Sequence, residues 1–367
     1  MSKSLKAIIV LAIAALTIGA GYWLYINFIN PPTTPQPVTK TEQVGAVGGG
    51  LALVSVHSLA GYWVNGIETY TISDTGEVYK TVGNKEEQVT NQTLADIRSV
   101  NASADGGGAI VSFGSPTQET FTIFDVKTKS WQPLPANIIA ADWDPQSADR
   151  IMYLGNDGSL RLYTLNPRTQ RAELSSYDGN NKKSSELMRI NIQDVQLEWP
   201  SANNAYLTEK PSNQPSSSWQ IDIAKKTIQT FVKDEVGLSL AWAPDGSWVV
   251  KSSDQDNAVI NNKGQVVTRL NIDPTLPAKC AVGSKNIFCA VPKQTARLED
   301  YLKRKTYSDD ALINFSLLLG VSDKINRSLT YKFIPGIGPW DVTNLKIANG
   351  KLFFVNRLNN KLYSLDL

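Results

Sequence analysis

The chain has 367 residues, of which 42% are hydrophobic and 19% are charged, an ordinary composition for a folded protein. Its 36 basic and 34 acidic residues leave a formal net charge of +2, too small a bias to indicate nucleic-acid binding. A single histidine, His57, and two cysteines exclude sites built on two imidazoles, or on three or four thiolates, within one chain.

The N-terminal residues predict a membrane anchor. Lys3 and Lys6 precede an uncharged, apolar run over residues 7–29, which is long enough for a helix that crosses a bilayer. Basic residues on the N-terminal side place residues 1–6 in the cytoplasm and the rest of the chain outside it. A cleaved signal peptide is the alternative, but the run ends in aromatic residues rather than small ones. We therefore predict a single-pass protein of the cell membrane.

Residues 30–49 are predicted to form a linker. Four prolines within residues 31–37 favour an extended, semi-stiff spacer, and the glycines within residues 45–50 favour a flexible joint. A tether that holds a domain away from a membrane needs this composition. A disordered leader without a spacing role is the alternative.

From residue 50 onward the sequence repeats a unit of several short strands about every 40 residues, which is typical of a β-propeller. The clearest copy, residues 240–250, consists of a strand, a Pro-Asp-Gly turn and a second strand. Trp143, Trp199 and Trp242 occupy one position in three successive units. The second strands are continuously apolar, so we expect them to be buried on both faces between neighbouring blades. The repeats predict an all-β domain of seven blades, or six if the interrupted sixth unit forms none.

The end of the chain predicts how the ring closes. The last unit, residues 345–367, contains only three predicted strands, which would leave an open sheet edge with unpaired backbone groups. Residues 51–56 precede the first unit and have strand character. We therefore predict that residues 51–56 complete the last blade beside residues 361–367 and seal the ring.

One motif resembles a known family. Trp242-Ala243-Pro244-Asp245-Gly246 resembles the recurrent motif of the TolB-type, WD-like propellers of bacterial envelopes. The C-terminal run is similar to the ending of membrane-anchored envelope propellers without an assigned function, and the resemblance extends over residues 50–367. It implies an exported binding or scaffolding protein. TolB-type propellers are soluble in the periplasm, and the predicted anchor departs from that pattern.

The two cysteines have two interpretations. Cys280 and Cys289 flank a predicted hairpin at positions that can face each other. Outside the cytoplasm such a pair can oxidise to a disulfide. Adjacent antiparallel strands accept a disulfide only at some register positions, so two buried small hydrophobic residues are the alternative. No further cysteine and no nearby histidine completes a metal or catalytic site with them.

An insertion over residues 294–307 is the best sequence candidate for partner binding. It interrupts the sixth unit, and its basic and aromatic side chains include Tyr301, Lys303, Arg304, Lys305 and Tyr307. The functional interpretation is a docking element for an anionic glycan, a lipid headgroup or an acidic protein. The alternative is a short helix that packs its leucines on the propeller and leaves its basic face in solvent.

The remaining polar candidates favour structural interpretations. His57 has no second imidazole and is expected in a loop or at a strand end. Asp309 and Asp310 are adjacent at a predicted strand start and point to opposite faces, so we expect a solvated pair. Residues 105–108 predict a turn rather than a phosphate loop, and residues 254–257 an acidic loop rather than a calcium site.

These observations predict a non-catalytic binding or scaffolding module of the cell envelope, with no cofactor, no metal and no catalytic residue. The expected partner is the membrane, through residues 7–29, together with an envelope protein or glycan. The alternative is a hydrolase or lyase that acts on glycans or peptides in the central funnel of the propeller. Carboxylates and basic residues that converge at the channel would favour the enzyme.

Overall fold

A computed structural model describes residues 45–115, 118–165, 184–192, 194–212, 214–270, 279–283, 286–292, 310–318, 326–332, 334 and 339–367. These residues form 29 strands in seven antiparallel sheets. Within these ranges no helix is long and apolar enough to cross a membrane. The predicted anchor at residues 7–29 lies outside the described residues.

The sheets follow one another along the chain as seven blades. Two N-terminal strands, which belong to blade 7, come first: β1 (Gly45–Gly48) and β2 (Leu51–Leu53). Blade 1 is β3 (Leu59–Asn65), β4 (Glu68–Ser73), β5 (Val78–Val82) and β6 (Lys85–Gln88). Blade 2 is β7 (Ile97–Ala102), β8 (Gly108–Ser115), β9 (Gln118–Asp125) and β10 (Ser130–Pro133). Blade 3 is β11 (Ile138–Asp144), β12 (Ser147–Gly155), β13 (Ser159–Thr164) and β14 (Ser184–Arg189).

The second half of the ring has the same plan. Blade 4 is β15 (Val195–Ser201), β16 (Asn204–Glu209), β17 (Pro215–Asp222) and β18 (Thr227–Val236). Blade 5 is β19 (Ser239–Trp242), β20 (Trp248–Ser252), β21 (Asn257–Asn261) and β22 (Val266–Leu270). Blade 6 is β23 (Cys280–Val282), β24 (Asn286–Pro292), β25 (Asp310–Leu318) and β26 (Asn326–Lys332). Blade 7 contains β27 (Val342–Ala348), β28 (Lys351–Asn356) and β29 (Lys361–Asp366).

The hydrophobic core is divided among the seven junctions between blades. Each junction holds one cluster of buried side chains, from blades 1 and 2 around the ring to blades 7 and 1. Trp143, Trp199 and Trp242 each pack toward the preceding blade, as their common position in the repeat predicts. The second strands are buried on both faces, as expected, and β20 is buried at all five positions. Seven blades are thereby confirmed.

The predicted seal between the two ends of the domain is confirmed. β2 pairs antiparallel with β29, with Leu51 opposite Leu365 and Leu53 opposite Tyr363. Leu51 and Leu53 are also buried in the cluster between blades 6 and 7. The backbone NH of Val54 continues this contact with a 2.9 Å hydrogen bond to the carbonyl of Leu362.

Blade 7 contains one strand more than the sequence predicts. β1 pairs with β2 and makes this sheet five-stranded, so the propeller begins at Gly45 rather than at residue 50. The glycines expected to form a flexible joint instead form β1 and a turn at Gly49 and Gly50, both with positive φ. An outermost strand can be rich in glycine because backbone hydrogen bonds to a single neighbour are sufficient to place it. The rest of the predicted linker, residues 30–44, lies outside the described residues.

The two faces of the ring carry different loops. In each blade, the loop between the first and second strands and the loop between the third and fourth strands lie on one face of the ring, hereafter the hairpin face. The first strand of each blade begins on the opposite face, hereafter the entry face. Gly106 and Gly246 occupy hairpin turns with φ of +72° and +65°. A Cβ at Gly106 would lie 2.5 Å from the Val64 carbonyl oxygen, and one at Gly246 would lie 2.6 Å from that of Pro200. These Asp-Gly turns therefore need glycine both for backbone conformation and for contact with the preceding blade.

Candidate functional site

Two carboxyl groups lie on neighbouring first strands at the inside of the ring. Asp142, on β11, accepts hydrogen bonds from the backbone NH groups of Trp143 (2.8 Å) and Trp199 (2.5 Å). The amide of Asn101, on the first strand of blade 2, donates a third hydrogen bond to it. Asp142 therefore joins blades 2, 3 and 4. The second carboxyl group, Glu198, belongs to β15 of blade 4.

The ionisation of this axial carboxylate pair, Asp142 and Glu198, is strongly perturbed. Burial raises the pKa of Asp142 to about 6, although its hydrogen bonds lower it. Burial and the Asp142 charge raise the pKa of Glu198 to about 8. The indole of Trp242 faces Glu198 and lowers that pKa, without a well-aligned hydrogen bond. Near neutral pH the pair therefore holds one ionised carboxylate beside one protonated carboxylic acid, an arrangement that can donate and accept a proton.

A lysine joins the last blade to the first. Lys346, on β27, donates a 3.1 Å hydrogen bond to the backbone carbonyl of Tyr62 and lies 5.1 Å from the centre of the Tyr62 ring. Burial lowers the pKa of Lys346 to about 8. The Tyr62 hydroxyl donates to the carbonyl of Phe353 in blade 7. These contacts are located at the junction of blades 7 and 1 and have a structural role.

A buried ionic network lies between blades 6 and 7 where their strands begin. The Lys279 ammonium contacts Asp310 at 2.5 Å and Asp341 at 2.8 Å. Arg357 pairs with Asp341, and the backbone NH of Val342 donates to Asp310. Lys279, Asp310 and Asp341 are each no more than 2% exposed. The network holds the starts of three strands together with charges that are paired away from water.

The expectation of a solvated Asp309–Asp310 pair is wrong for Asp310. Asp310 begins β25 next to the start of β27, and the fold brings Lys279 to it from the position just before β23, two strands away in the sheet. Adjacency in the sequence could not predict a counter-ion that is supplied by tertiary structure. Asp309 lies outside the described residues.

The two cysteines lie directly opposite each other. Cys280 on β23 pairs with Cys289 on β24, and the two form a disulfide with both residues buried. Cys280 follows Lys279 directly, so the disulfide and the ionic network hold the same short strand. The arrangement is structural, because both sulfur atoms are within the core between blades 5 and 6.

The sequence-predicted docking insertion lies outside the described residues, as do its members Tyr301, Lys303, Arg304, Lys305 and Tyr307. The strands that flank it are paired, with Pro292 opposite Asp310. β24 therefore ends, and β25 begins, at the entry face. Its role as a partner-binding element stays a prediction.

The other candidates occupy structural positions. The His57 ring stacks on Tyr79 at 3.9 Å, and its Nε2 lies 3.8 Å from a carboxylate oxygen of Glu86. Asp256, in the acidic loop of residues 254–257, pairs with Lys251. Within the described ranges no group of three or more metal-ligating side chains occurs.

An open groove on the hairpin face was not predicted. It lies between blades 2 and 3, has a volume of about 450 Å³, and is hereafter the blade 2–3 groove. Its lining comes from the first hairpin of each of the two blades and from the third strand of each blade with the residues that follow it. These segments are far apart in the sequence. Its charged and polar lining residues include Asp105, Asp125, Lys127, Gln132 and Asp149.

No protein-family model matches this sequence, and no curated protein matches it. Among solved structures, the tricorn protease is similar, with a TM-score of 0.53 and 12% identity over 88% of this chain. The match covers 34% of the tricorn protease chain, so this chain spans about a third of that protein. The β-propeller domain of the Trilobed protease from Pyrococcus furiosus gives a TM-score of 0.52 and 8% identity, covering 84% of this chain and 92% of its own.

TolB from Acinetobacter baumannii is a further structural neighbour, with a TM-score of 0.38 and 12% identity over 54% of this chain and 50% of its own. At their identities, the likeness to the tricorn protease and to the Trilobed protease propeller shows the propeller fold alone. The Trilobed protease propeller is described as having an open velcro topology. In the present chain, by contrast, β2 and β29 hold the ring closed.

Proposed function

We propose that this protein is a membrane-anchored binding or scaffolding module of the cell envelope, with its propeller outside the cytoplasm. The observation that supports this most directly is the blade 2–3 groove, an open concave surface on a ring in which Asp142 and Lys279 hold neighbouring blades together. A rigid ring with such a groove can present a fixed binding surface without chemistry. The apolar segment at residues 7–29 supplies the proposed anchor, and an envelope protein or glycan is the proposed partner.

The proposal is tested by photo-crosslinking of the full chain in its own cells. A photoreactive residue at Ala148, on the rim of the groove, should yield a discrete adduct on irradiation. The same residue at Thr93, an exposed loop position between blades 1 and 2, is the matched control and should yield none. Adducts of equal yield at both positions, or none at either, would contradict a binding surface at the groove.

The axial carboxylate pair favours a second candidate, an enzyme that acts on glycans or peptides. Glu198, protonated near neutral pH, could serve as general acid, and Asp142 as general base or electrostatic stabiliser. The test is turnover of envelope glycans or peptides by the purified full chain. Turnover that is lost in Glu198→Gln and retained in the surface variant Glu87→Gln would favour the enzyme and overturn the non-catalytic proposal.

A further inference from the structure

We propose, building on the binding function proposed above, that the blade 2–3 groove binds the guanidinium group of an arginine side chain presented by a partner protein. The groove is assembled from both blades: Asp105 and Gly107 come from the hairpin of blade 2, and Asp149 from that of blade 3. Three observations support this ligand chemistry: the apolar floor, the charge of the rim and an unpaired buried acceptor.

The floor of the groove is apolar. Ile123, Trp143 and Leu165 line it, and the first two are 2% and 4% exposed. The indole NH of Trp143 donates a 2.9 Å hydrogen bond to the backbone carbonyl of Asn101, which fixes the position of the indole ring in the groove. Such a floor suits the methylene groups of a long side chain, which bury their stem on apolar surface and keep a charged head at a polar rim.

The rim carries an excess of negative charge. Asp105, Asp125 and Asp149 line the groove, and Lys127 is the one basic residue among its described lining residues. Asp105 receives its hydrogen bonds from Ser103 and Gly107 through the Oδ1 atom alone. Asp149 accepts through Oδ1 as well, from the Ser147 hydroxyl. In the described part of the chain the Oδ2 atoms of Asp105 and Asp149 therefore remain available to a cation.

Gln132 has an unpaired acceptor atom that indicates a ligand with NH donors. The residue lines the groove and is 6% exposed. Its amide nitrogen donates to Asp125 at 3.2 Å, and this contact fixes which side of the amide faces the carboxylate. Its Oε1 atom then has no hydrogen-bond partner among the described residues. A buried acceptor without a partner is costly, so a donor that reaches this Oε1 atom from the groove gains free energy there.

These three features together favour guanidinium over other cations. A guanidinium has five NH donors in a planar fork and can contact a carboxylate and an amide oxygen at the same time. An ammonium group is a compact point charge that is more strongly hydrated, so it gains less from a half-apolar groove. We therefore expect an arginine peptide to bind more tightly than the corresponding lysine peptide.

The test measures binding to the purified full chain in mild detergent by fluorescence anisotropy. The probe is a labelled peptide with one arginine between glycines, compared with a lysine peptide and with a neutral citrulline peptide of the same shape. We expect the arginine peptide to bind saturably with a Kd of about 1 mM, which is the range for a small contact of this kind. The double variant Asp105→Asn and Asp149→Asn should weaken it at least about tenfold, because charged hydrogen bonds become neutral ones.

A matched control separates charge at the groove from charge elsewhere. Asp245 occupies the equivalent Asp-Gly turn of blade 5, where Ser247 donates to its Oδ1 atom. Asp245→Asn removes the same charge from the same kind of turn and should leave the affinity unchanged. Equal loss of affinity in this control would overturn the assignment to the groove.

Further outcomes decide the proposal. Equal binding of the citrulline peptide, or no saturable binding of the arginine peptide, would overturn guanidinium recognition. Saturable binding of the arginine peptide without a protein adduct at Ala148 would indicate a small-molecule ligand and overturn the assignment to a partner protein. If photo-crosslinking at Ala148 succeeds while the arginine peptide fails, the binding function stands and the ligand class alone is wrong.

Discussion

Lys279 provides the sharpest test of how blades 6 and 7 are held together. In Lys279→Met the apolar stem is kept, but the ammonium that contacts Asp310 and Asp341 is lost. Asp341 keeps Arg357, so the uncompensated charge is mainly that of Asp310, which is 1% exposed. Breaking a buried ion pair costs about 3–5 kcal/mol, and we expect the lower end, about 3 kcal/mol, because one partner remains paired. For a domain of this size that corresponds to a decrease in Tm of about 4 °C.

The measurement is thermal unfolding of the full chain in detergent, followed by tryptophan fluorescence. Lys80→Met is the matched control, because Lys80 pairs with Glu68 and Glu87 at the surface and should cost less than about 1 kcal/mol. In Lys279→Met combined with Asp310→Asn, the amide oxygen still accepts from the Val342 backbone, so part of the lost stability should return. If Lys279→Met and Lys80→Met unfold at the same temperature, the network does not stabilise the ring as argued.

Three further predictions concern the axial pair, the disulfide and the seal. The raised pKa of Glu198 makes the folded chain bind more protons than the unfolded chain. The protonated Glu198 therefore contributes stability that is complete below about pH 4.5 and is lost as the pH rises through about 8. The stability of Glu198→Gln relative to wild type should therefore be higher at pH 9 than at pH 5. We expect a difference of about 2 kcal/mol, because water at the partly exposed carboxyl group reduces the effect of the pKa shift. The same pH dependence of the unfolding free energy for both proteins in denaturant titrations would contradict this. Replacing Cys280 and Cys289 by alanine should cost about 2.5 kcal/mol of unfolding free energy, the entropy of a nine-residue loop, and a reducing agent should then have no further effect on the variant. Leu53→Asp, which places a charge at a 3% exposed position in the seam, should lower Tm more than the same change at exposed Leu358, and equal Tm values would argue against sealing by β2.

The repeating part of the fold was predictable because its information is local. The units share alternating strands, most of them have a turn glycine, and three have a tryptophan at a fixed position, so the number of blades and the burial of second strands follow from the chain itself. Closure by residues 51–56 followed from counting strands, since an unpaired edge in the last blade required a partner. β1 was missed because glycine and alanine have low strand propensity, and only the edge of β2 makes that segment a strand.

The candidate sites were less predictable because their residues meet only in the folded ring. Asp142 and Glu198 each come directly before a tryptophan of the repeat, and this shared position was a signal that could have identified them. Their altered pKa values, however, arise from groups on several blades. The blade 2–3 groove combines a hairpin of one blade with a turn of the other, and the acceptor of Gln132 is left unpaired by a contact that no sequence pattern shows.

The pairing of β2 with β29 has a consequence for the order in which the molecule assembles. Leu51 is made long before Leu365, so the ring cannot close until β29 has been synthesised. Until then β2 has an open edge, which is available to strands of other molecules. Closing so long a loop is slow compared with forming each local hairpin, so the seam is the last contact to form and the step at which a nascent chain is most exposed to aggregation.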